Sequence, residues 1–319
     1  MSYEKQYVPF SDLIEMLKED KNINVHTLKE KIFKERTYVS IINPYKDYLC
    51  LEKGDVHRVY PNNLDFKYFK KFIEIDDFIS TRLNIYIKCF EQALTAYLAT
   101  TMSNKMLKLG NVHCNDYSLF QELLSDQKNQ LDMLDIYHRY QNTKIVKGND
   151  LVVQKNREVV EKIIMLGQKK LNMNNYLYQH YKKNHTSIPI WIVIHQLTLG
   201  ELQAIFNLLK LKDRVAFVNN VYRQRKNNQF VSTFSNKINY IRLLRNNINH
   251  YEPIIPFIKN LSSLEEQKRL ISLIKLLKIN YYESTVHDCS KIEKPVVDIY
   301  AHQNNALSIS YIKKIIKII

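Results

Sequence analysis

From Phe69 to about Met102 the apolar positions Ile75, Phe78, Ile79, Leu83, Tyr86, Ile87, Phe90, Leu94, Tyr97 and Leu98 recur at three- and four-residue steps, with Asp76, Arg82 and Glu91 among them. Apolar residues with that period fall on one face of an α-helix, and no strand presents them so. At about 1.5 Å per residue such a helix spans most of a domain and can serve as its central post. With only 5 Gly and 7 Pro in 319 residues, the chain lacks the tight turns that an all-β fold needs. The expected fold is therefore all-α.

The rest of the chain reads in the same terms. Residues 10 to 19 and 25 to 42 form two short amphipathic helices, an N-terminal cap over 1–48 that breaks at Asn43 and Pro44. Gly54, Pro61, Asn62 and Asn63 mark a loop with room for a short hairpin. A main helical domain follows over 49–260, with a helical insertion at about 110–185. Within that insertion, 117–142 reads as one helix or two, 144–150 as a loop, and 156–181 as a helix weakened by Gly167 and an Asn-rich run. A new helix begins at 187–191. Thr198 and Glu201 have the spacing of a capping box for a helix from Leu199 to Leu209. Residues 213 to 226 precede a helix from about Thr233 to Tyr251, whose buried stripe is Phe234, Ile238, Ile241, Leu244 and Ile248. A C-terminal helical extension covers 261–319. It comprises a capping box at Ser262, a helix to about Lys278, an irregular stretch over 280–305 and a short basic helix from Leu307.

Charge narrows the partners. Lys and Arg number 47 against 32 Asp and Glu, a formal net charge of +15, and such a surplus attracts polyanions before any specific contact forms. A nucleic acid or an anionic membrane is the partner that charge implies, against the competing reading of a merely solvated lysine surface; the 22 tyrosines favour RNA, because rings stack on unpaired bases. Cys50, Cys89, Cys114 and Cys289 are widely spaced and form no C-x-x-C pair, as free thiols of a reducing compartment would be. The N-terminus lacks a signal-peptide core and no segment has the length of a membrane span, so a cytoplasmic location without membrane attachment is expected.

The stretch with a chemical reading is Leu243 to Pro253, LLRNNINHYEP, at the end of a helix. RNA cleavage without a metal or other cofactor needs a base for the 2′-OH proton, an acid for the 5′-oxygen, and positive charge at the crowded phosphate. Histidine is the side chain suited to taking and giving protons near neutrality, which makes His250 the candidate acid or base; Arg245 offers a planar fork of donors to phosphate oxygens, and Asn246 lies one turn before His250. On a straight helix Arg245 sits roughly 140° around the axis from His250. Either the last turn loosens before Pro253, or two copies meet at a two-fold axis and share a site; a homodimer is the favoured reading. The bland alternative is a solvated helix end with a His near the C-terminal dipole.

Three blocks, FIEIDDFISTRLNIYIKCFEQALTAYLA, PIWIVIHQLTLGEL and LLRNNINHYEPI, resemble in order and spacing the abortive-infection family of AbiD and AbiF type, within the HEPN class of helical ribonucleases. The resemblance covers about residues 10 to 260. It implies an all-α HEPN-type bundle with a small N-terminal cap and additional helices. It also implies a homodimer and an endoribonuclease toxin of phage-defence or toxin–antitoxin type that leaves a 2′,3′-cyclic phosphate. A structured noncoding RNA is an expected partner, and a non-catalytic RNA-binding protein acting with such an RNA is the alternative reading. Arg245, Asn246 and His250 map onto the family's R-N-x-x-x-H signature. The family commonly has a small residue before the His and often a second His after it; Asn249 and Tyr251 stand there instead.

Arg82, Glu91 and Tyr251 are supporting candidates, a salt bridge being the competing reading for Arg82 and Glu91. Arg223, Arg225, Lys226 and Arg242 are candidate phosphate contacts, against a solvated basic face. His180 and His185 have no carboxylate or Cys cluster beside them, so no metal site is expected. Trp191 reads as a packing anchor.

Overall fold

The periodic run becomes a single helix from Lys67 to Lys108, longer at both ends than its apolar pattern. The computed structural model describes residues 8–25, 32–33, 36–50, 52–53, 58–61, 63–110, 150–222, 225–259, 264–279 and 315–316. The helices expected over 117–142, the capping box at Ser262, the irregular stretch over 280–305 and all but 315–316 of the final helix lie outside the described residues, as does the loop expected over 144–150 except for Asp150, which opens a helix running to Gly167 instead.

The fold is all-α. In chain order the described elements are α1 (Phe10–Glu19), β1 (Ile23–Asn24), α2 (Tyr38–Ile41), α3 (Lys46–Leu49), β2 (Glu52–Lys53), β3 (Arg58–Val59), β4 (Leu64–Asp65), α4 (Lys67–Lys108), α5 (Asp150–Gly167), α6 (Tyr176–Asn184), α7 (Ile190–Ile194), α8 (Leu199–Leu208), α9 (Leu211–Tyr222), α10 (Asn228–Ser232), α11 (Phe234–Asn249), α12 (Ile254–Lys259) and α13 (Leu264–Ile279). The strands are two-residue pieces: β2 pairs antiparallel with β3 as the short hairpin, and β1 pairs parallel with β4.

Two helices expected to be continuous are interrupted. The one over 25–42 does not start at Val25, which lies outside any helix. It restarts at Thr37, whose backbone is extended and whose hydroxyl accepts from the Ser40 N–H, an N-cap that competes with helix continuation. The helix over 156–181 breaks after Gly167. Lys169 takes a left-handed φ of 61°. Its N–H donates to the Leu166 carbonyl (3.1 Å) and the Lys170 N–H to the Met165 carbonyl (2.8 Å), the paired bonds of a Schellman stop. The Asn175 side chain then caps α6 by accepting from the Tyr178 N–H. The capping box at Thr198 and Glu201 forms with both its bonds.

The chain divides into two units. The first comprises Met1–Ile85, Leu244–Lys278 and Tyr282–Ile319. Its core carries Tyr45 and Tyr48 on Phe72, with centroids 5.5 and 5.2 Å apart, and Phe66 on Phe69 at 5.8 Å. The second comprises Tyr86–Leu243 and Ile279–Tyr281. There Phe206, Phe217 and Phe234 meet mutually at 5.6 to 6.0 Å, and Phe90 adds a fourth ring. Beside them the nearly buried Lys105 ammonium holds Asp213 at 2.9 Å, and the Tyr97 hydroxyl donates to the Asp213 carbonyl. No described helix is long and apolar enough to cross a membrane.

Phe217 touches Phe90, Tyr97, Phe206 and Phe234 and is fully enclosed. Phe217→Ala is expected to cost about 3–5 kcal/mol of stability through lost burial and the cavity left behind, read as a lower urea midpoint at unchanged slope.

Candidate functional site

The helix α11 forms because Phe234, Ile238, Ile241 and Leu244 recur on one face, and all four are fully buried. Ile248, the last member of the expected stripe, is only partly buried, so the burying face gives out over the final turn. That turn carries Arg245 and Asn246, both half-buried, and His250, exposed. The His250 N–H donates to the Asn246 carbonyl at 2.9 Å. The α-helical bond is thus intact as far as His250 and the turn does not loosen before it. Asn246 and His250 stand one turn apart on a shared face, and Arg245 remains roughly 140° around the axis from His250.

The helix stops one residue later. Tyr251 has φ 57°; its N–H donates to the Ile248 carbonyl (3.1 Å) and the Glu252 N–H to the Asn247 carbonyl (2.8 Å). This is a Schellman stop with tyrosine at the left-handed position that glycine usually fills. An L-residue there costs about 1–2 kcal/mol, and the ring is 92% exposed, so little packing offsets it. Pro253 follows the stop and then serves as the entry to α12. Having no side-chain oxygen, it cannot cap the first N–H groups of that helix.

Asp76 caps them instead. Its carboxylate, 4% exposed, accepts from the Ile254 N–H at 3.0 Å and the Ile255 N–H at 2.6 Å. The Ile255 carbonyl accepts in turn from the Tyr48 hydroxyl at 3.4 Å. Residues 250–253 are therefore held between the Schellman bonds on one side and the Asp76 anchor on the other. Burial pushes the Asp76 carboxyl up to about 6, the N–H bonds from Ile255 and Ile254 opposing it; Asp77 adds to the rise and Arg36 opposes it. Arg36 forms a forked ion pair with Asp77 at 2.8 and 2.7 Å. Asp76 was legible only as one polar residue within an apolar stripe. The signal that marks it is a charge at a position whose period demands burial, which requires a partner.

The other candidates lie as follows. Arg82, in the first unit, sets its guanidinium 5.9 Å from the Phe78 ring of its own helix. Glu91, in the second unit, is half-buried, and its carbonyl accepts from the Thr95 hydroxyl. In that unit Arg225 is exposed, and the Lys226 ammonium lies over the Tyr222 and Phe230 rings at 4.8 and 5.4 Å. Arg242 donates through its guanidinium to the Asn239 side chain at 2.8 and 3.3 Å. Arg223 lies outside the described residues. The first unit thus holds Arg245, Asn246, His250, Tyr251 and Arg82 together with Asp76.

Two measurements test this construction. A folded value of about 6 for Asp76 stands above the ~3.9 of an unfolded aspartate, so the folded chain holds this proton more tightly. The stability gained from protonation is fully present below the unfolded value and is lost as pH rises through about 6. Relative to Asp76→Asn, the wild type is expected to lose on the order of 2–3 kcal/mol of unfolding free energy across that window. Urea titrations of both proteins at its two ends measure it; a wild type that gains would mean that the N–H bonds outweigh burial. Tyr251→Gly is expected to stabilise by about 1 kcal/mol by relieving the left-handed strain, seen as a higher urea midpoint.

Compared with known proteins, the chain matches the family model described as Abi-like protein over residues 31–256. No curated protein and no solved structure matches it. The matched span contains the long helix with Asp76, the Thr198 capping box, the Arg245–His250 turn and the N–H groups that Asp76 holds. On that match over most of its length, the chain belongs to the abortive-infection, Abi-like protein family.

Proposed function

We propose that the protein is a metal-independent endoribonuclease of HEPN type, a toxin acting in abortive infection or a toxin–antitoxin pair in the cytoplasm. The observation that supports this reading most is the exposed His250 on an α-helical turn, with the chain just beyond it anchored by Asp76 through the Ile254 and Ile255 N–H groups, and with Asn246 beneath it and Arg245 on the same turn.

In the reaction the substrate's 2′-OH loses its proton to a base and its oxygen bonds to phosphorus. The P–O5′ bond breaks and the leaving oxygen takes a proton from an acid, giving a 2′,3′-cyclic phosphate and a 5′-OH end. Arg245 donates to the phosphate oxygens where negative charge accumulates, and Asn246 orients the imidazole or the phosphate. One His cannot be base and acid at once. The angle of roughly 140° between Arg245 and His250 on a straight helix also works against one copy clasping a single phosphate. A homodimer with two such turns at its two-fold axis supplies both His250 side chains and an Arg245 from each side. The net charge of +15 concentrates RNA around the protein. Arg225, Lys226, Arg242, Arg223 and Arg82 are proposed to contact or support the bound strand, with Glu91 and Tyr251 in supporting roles. A structured noncoding RNA is the proposed antidote.

The test compares wild type with His250→Ala on cellular RNA, with ends mapped by their cyclic phosphates. Cuts present in the wild type, persisting under EDTA and reduced at least about 100-fold by the substitution, are the expected result. Equal cutting by both proteins would remove His250 from the chemistry. A single RNA retained by both, with no cuts from either, would favour a non-catalytic RNA-binding protein.

A further inference from the structure

From Lys162 to Gly200 the sequence carries no Asp or Glu, against Lys162, Lys169, Lys170, Lys182 and Lys183. In a chain where acids make up 32 of 319 residues, this is a long interval without one, and the structure gathers much of it on α5, α6 and the turn between them. Two of the lysines are engaged: Lys162 pairs with Glu201 at 2.7 Å, and Lys182 donates to the Leu171 carbonyl and the Asn172 side chain at 3.2 Å. Lys170 and Lys183 are exposed.

The helix α6 is held from beneath by Tyr178, whose buried hydroxyl donates to the Leu166 and Leu171 carbonyls at 3.0 Å. Its outer side is then left with rings. Tyr176, His180 and Lys183 follow at steps of four and three, which places them on one face, and all three are exposed, Tyr176 at 85%. Next to that face His180 meets the edge of Tyr181 at 5.8 Å, and Tyr181 stacks on His185 at 4.8 Å with an interplanar angle of 22°. The Asn184 side chain donates to the His180 carbonyl at 2.9 Å and lies 3.2 Å from His180 Nδ1, so the imidazole is steadied as well. A row of rings, exposed at Tyr176, His180 and His185 and half-buried at Tyr181, pre-ordered by its own contacts and flanked by lysines without acids, has the two parts that a single-stranded polyanion with flat bases needs.

We propose that the exposed face of α6, centred on Tyr176, His180 and Lys183, is a docking surface for an unpaired stretch of RNA. The assignment rests on the RNA reading given above and adds a strand-binding face in the second unit, made of residues that take no part in the chemistry. Bases stack on Tyr176 and on the His180, Tyr181 and His185 row, while Lys170 and Lys183 meet phosphates. The partner is single-stranded because a duplex hides its base faces from a helix surface.

The probe is a fluorescein-labelled oligouridine with 2′-O-methyl sugars, which 2′-OH attack cannot cleave, set against a duplex RNA of equal length. Tyr176→Ala is expected to weaken single-strand binding about tenfold and to leave duplex binding unchanged, while Tyr176→Trp binds as the wild type does. Changing Lys170 and Lys183 to Gln is expected to lower the slope of log affinity against log salt by about 0.7 for each charge removed. Circular dichroism and urea midpoints should not change, since these side chains are exposed. A wild type that binds the single strand and is unaffected by Tyr176→Ala overturns this surface while leaving the RNA reading standing. A wild type that binds neither probe overturns both.

Discussion

A carboxylate at a position that the helical period assigns to the core is costly, and its surroundings are arranged around that cost. Asp76 lies within the apolar stripe of the long helix, 4% exposed, and the two groups that satisfy it come from residues 178 and 179 positions later in the chain. An ionised carboxylate out of water holds only if hydrogen bonds replace its hydration, and here two backbone donors do so. The same bonds solve the problem at the other end. Pro253 offers no oxygen to the opening N–H groups of α12, and a helix start without an acceptor would leave them orphaned. Each side satisfies what the other lacks, so the turn that carries His250 is fixed by a contact that neither segment could form alone.

This anchor bears on the chemistry through geometry. A histidine on a fraying helix end samples many positions, and each wrong one costs rate. With the α-helical bond intact to His250 and the chain pinned again at Ile254, few residues remain free to move between them. The strained residue sits within that short span, at Tyr251. Strain tolerated at an exposed tyrosine, where glycine would relieve it, is the kind of feature that clusters at functional turns. Because the carboxyl of Asp76 is pushed up to about 6, protonation near that pH removes part of its acceptor capacity.

The helices were legible where local information specifies them. The long helix, the buried stripe of α11 from Phe234 to Leu244 and the capping box at Thr198 depend on residues three or four apart, which a sequence displays directly. Helix ends were less legible, because a chain with 5 glycines stops helices without the usual marker. Lys169 and Tyr251 take the left-handed position, while Gly167 stands two places ahead of the first stop. The continuous helices expected over 25–42 and 156–181 failed for related reasons. Thr37 caps a new start and Lys169 ends a helix, and both compete with an apolar period that runs on through them.

What the sequence determined by itself was the fold class, the presence and central stretch of the main helix and the placement of Arg245, Asn246 and His250 at a helix end, because periodicity and short motifs are local. What only the tertiary structure decided was the role of Asp76, the left-handed stop at Tyr251 and the lysine-flanked ring row on α6. Each depends on what is buried and on which distant group lies opposite. A buried charge is marked in sequence only by its misfit with the pattern, and its partner, far along the chain, is named only when the chain has folded.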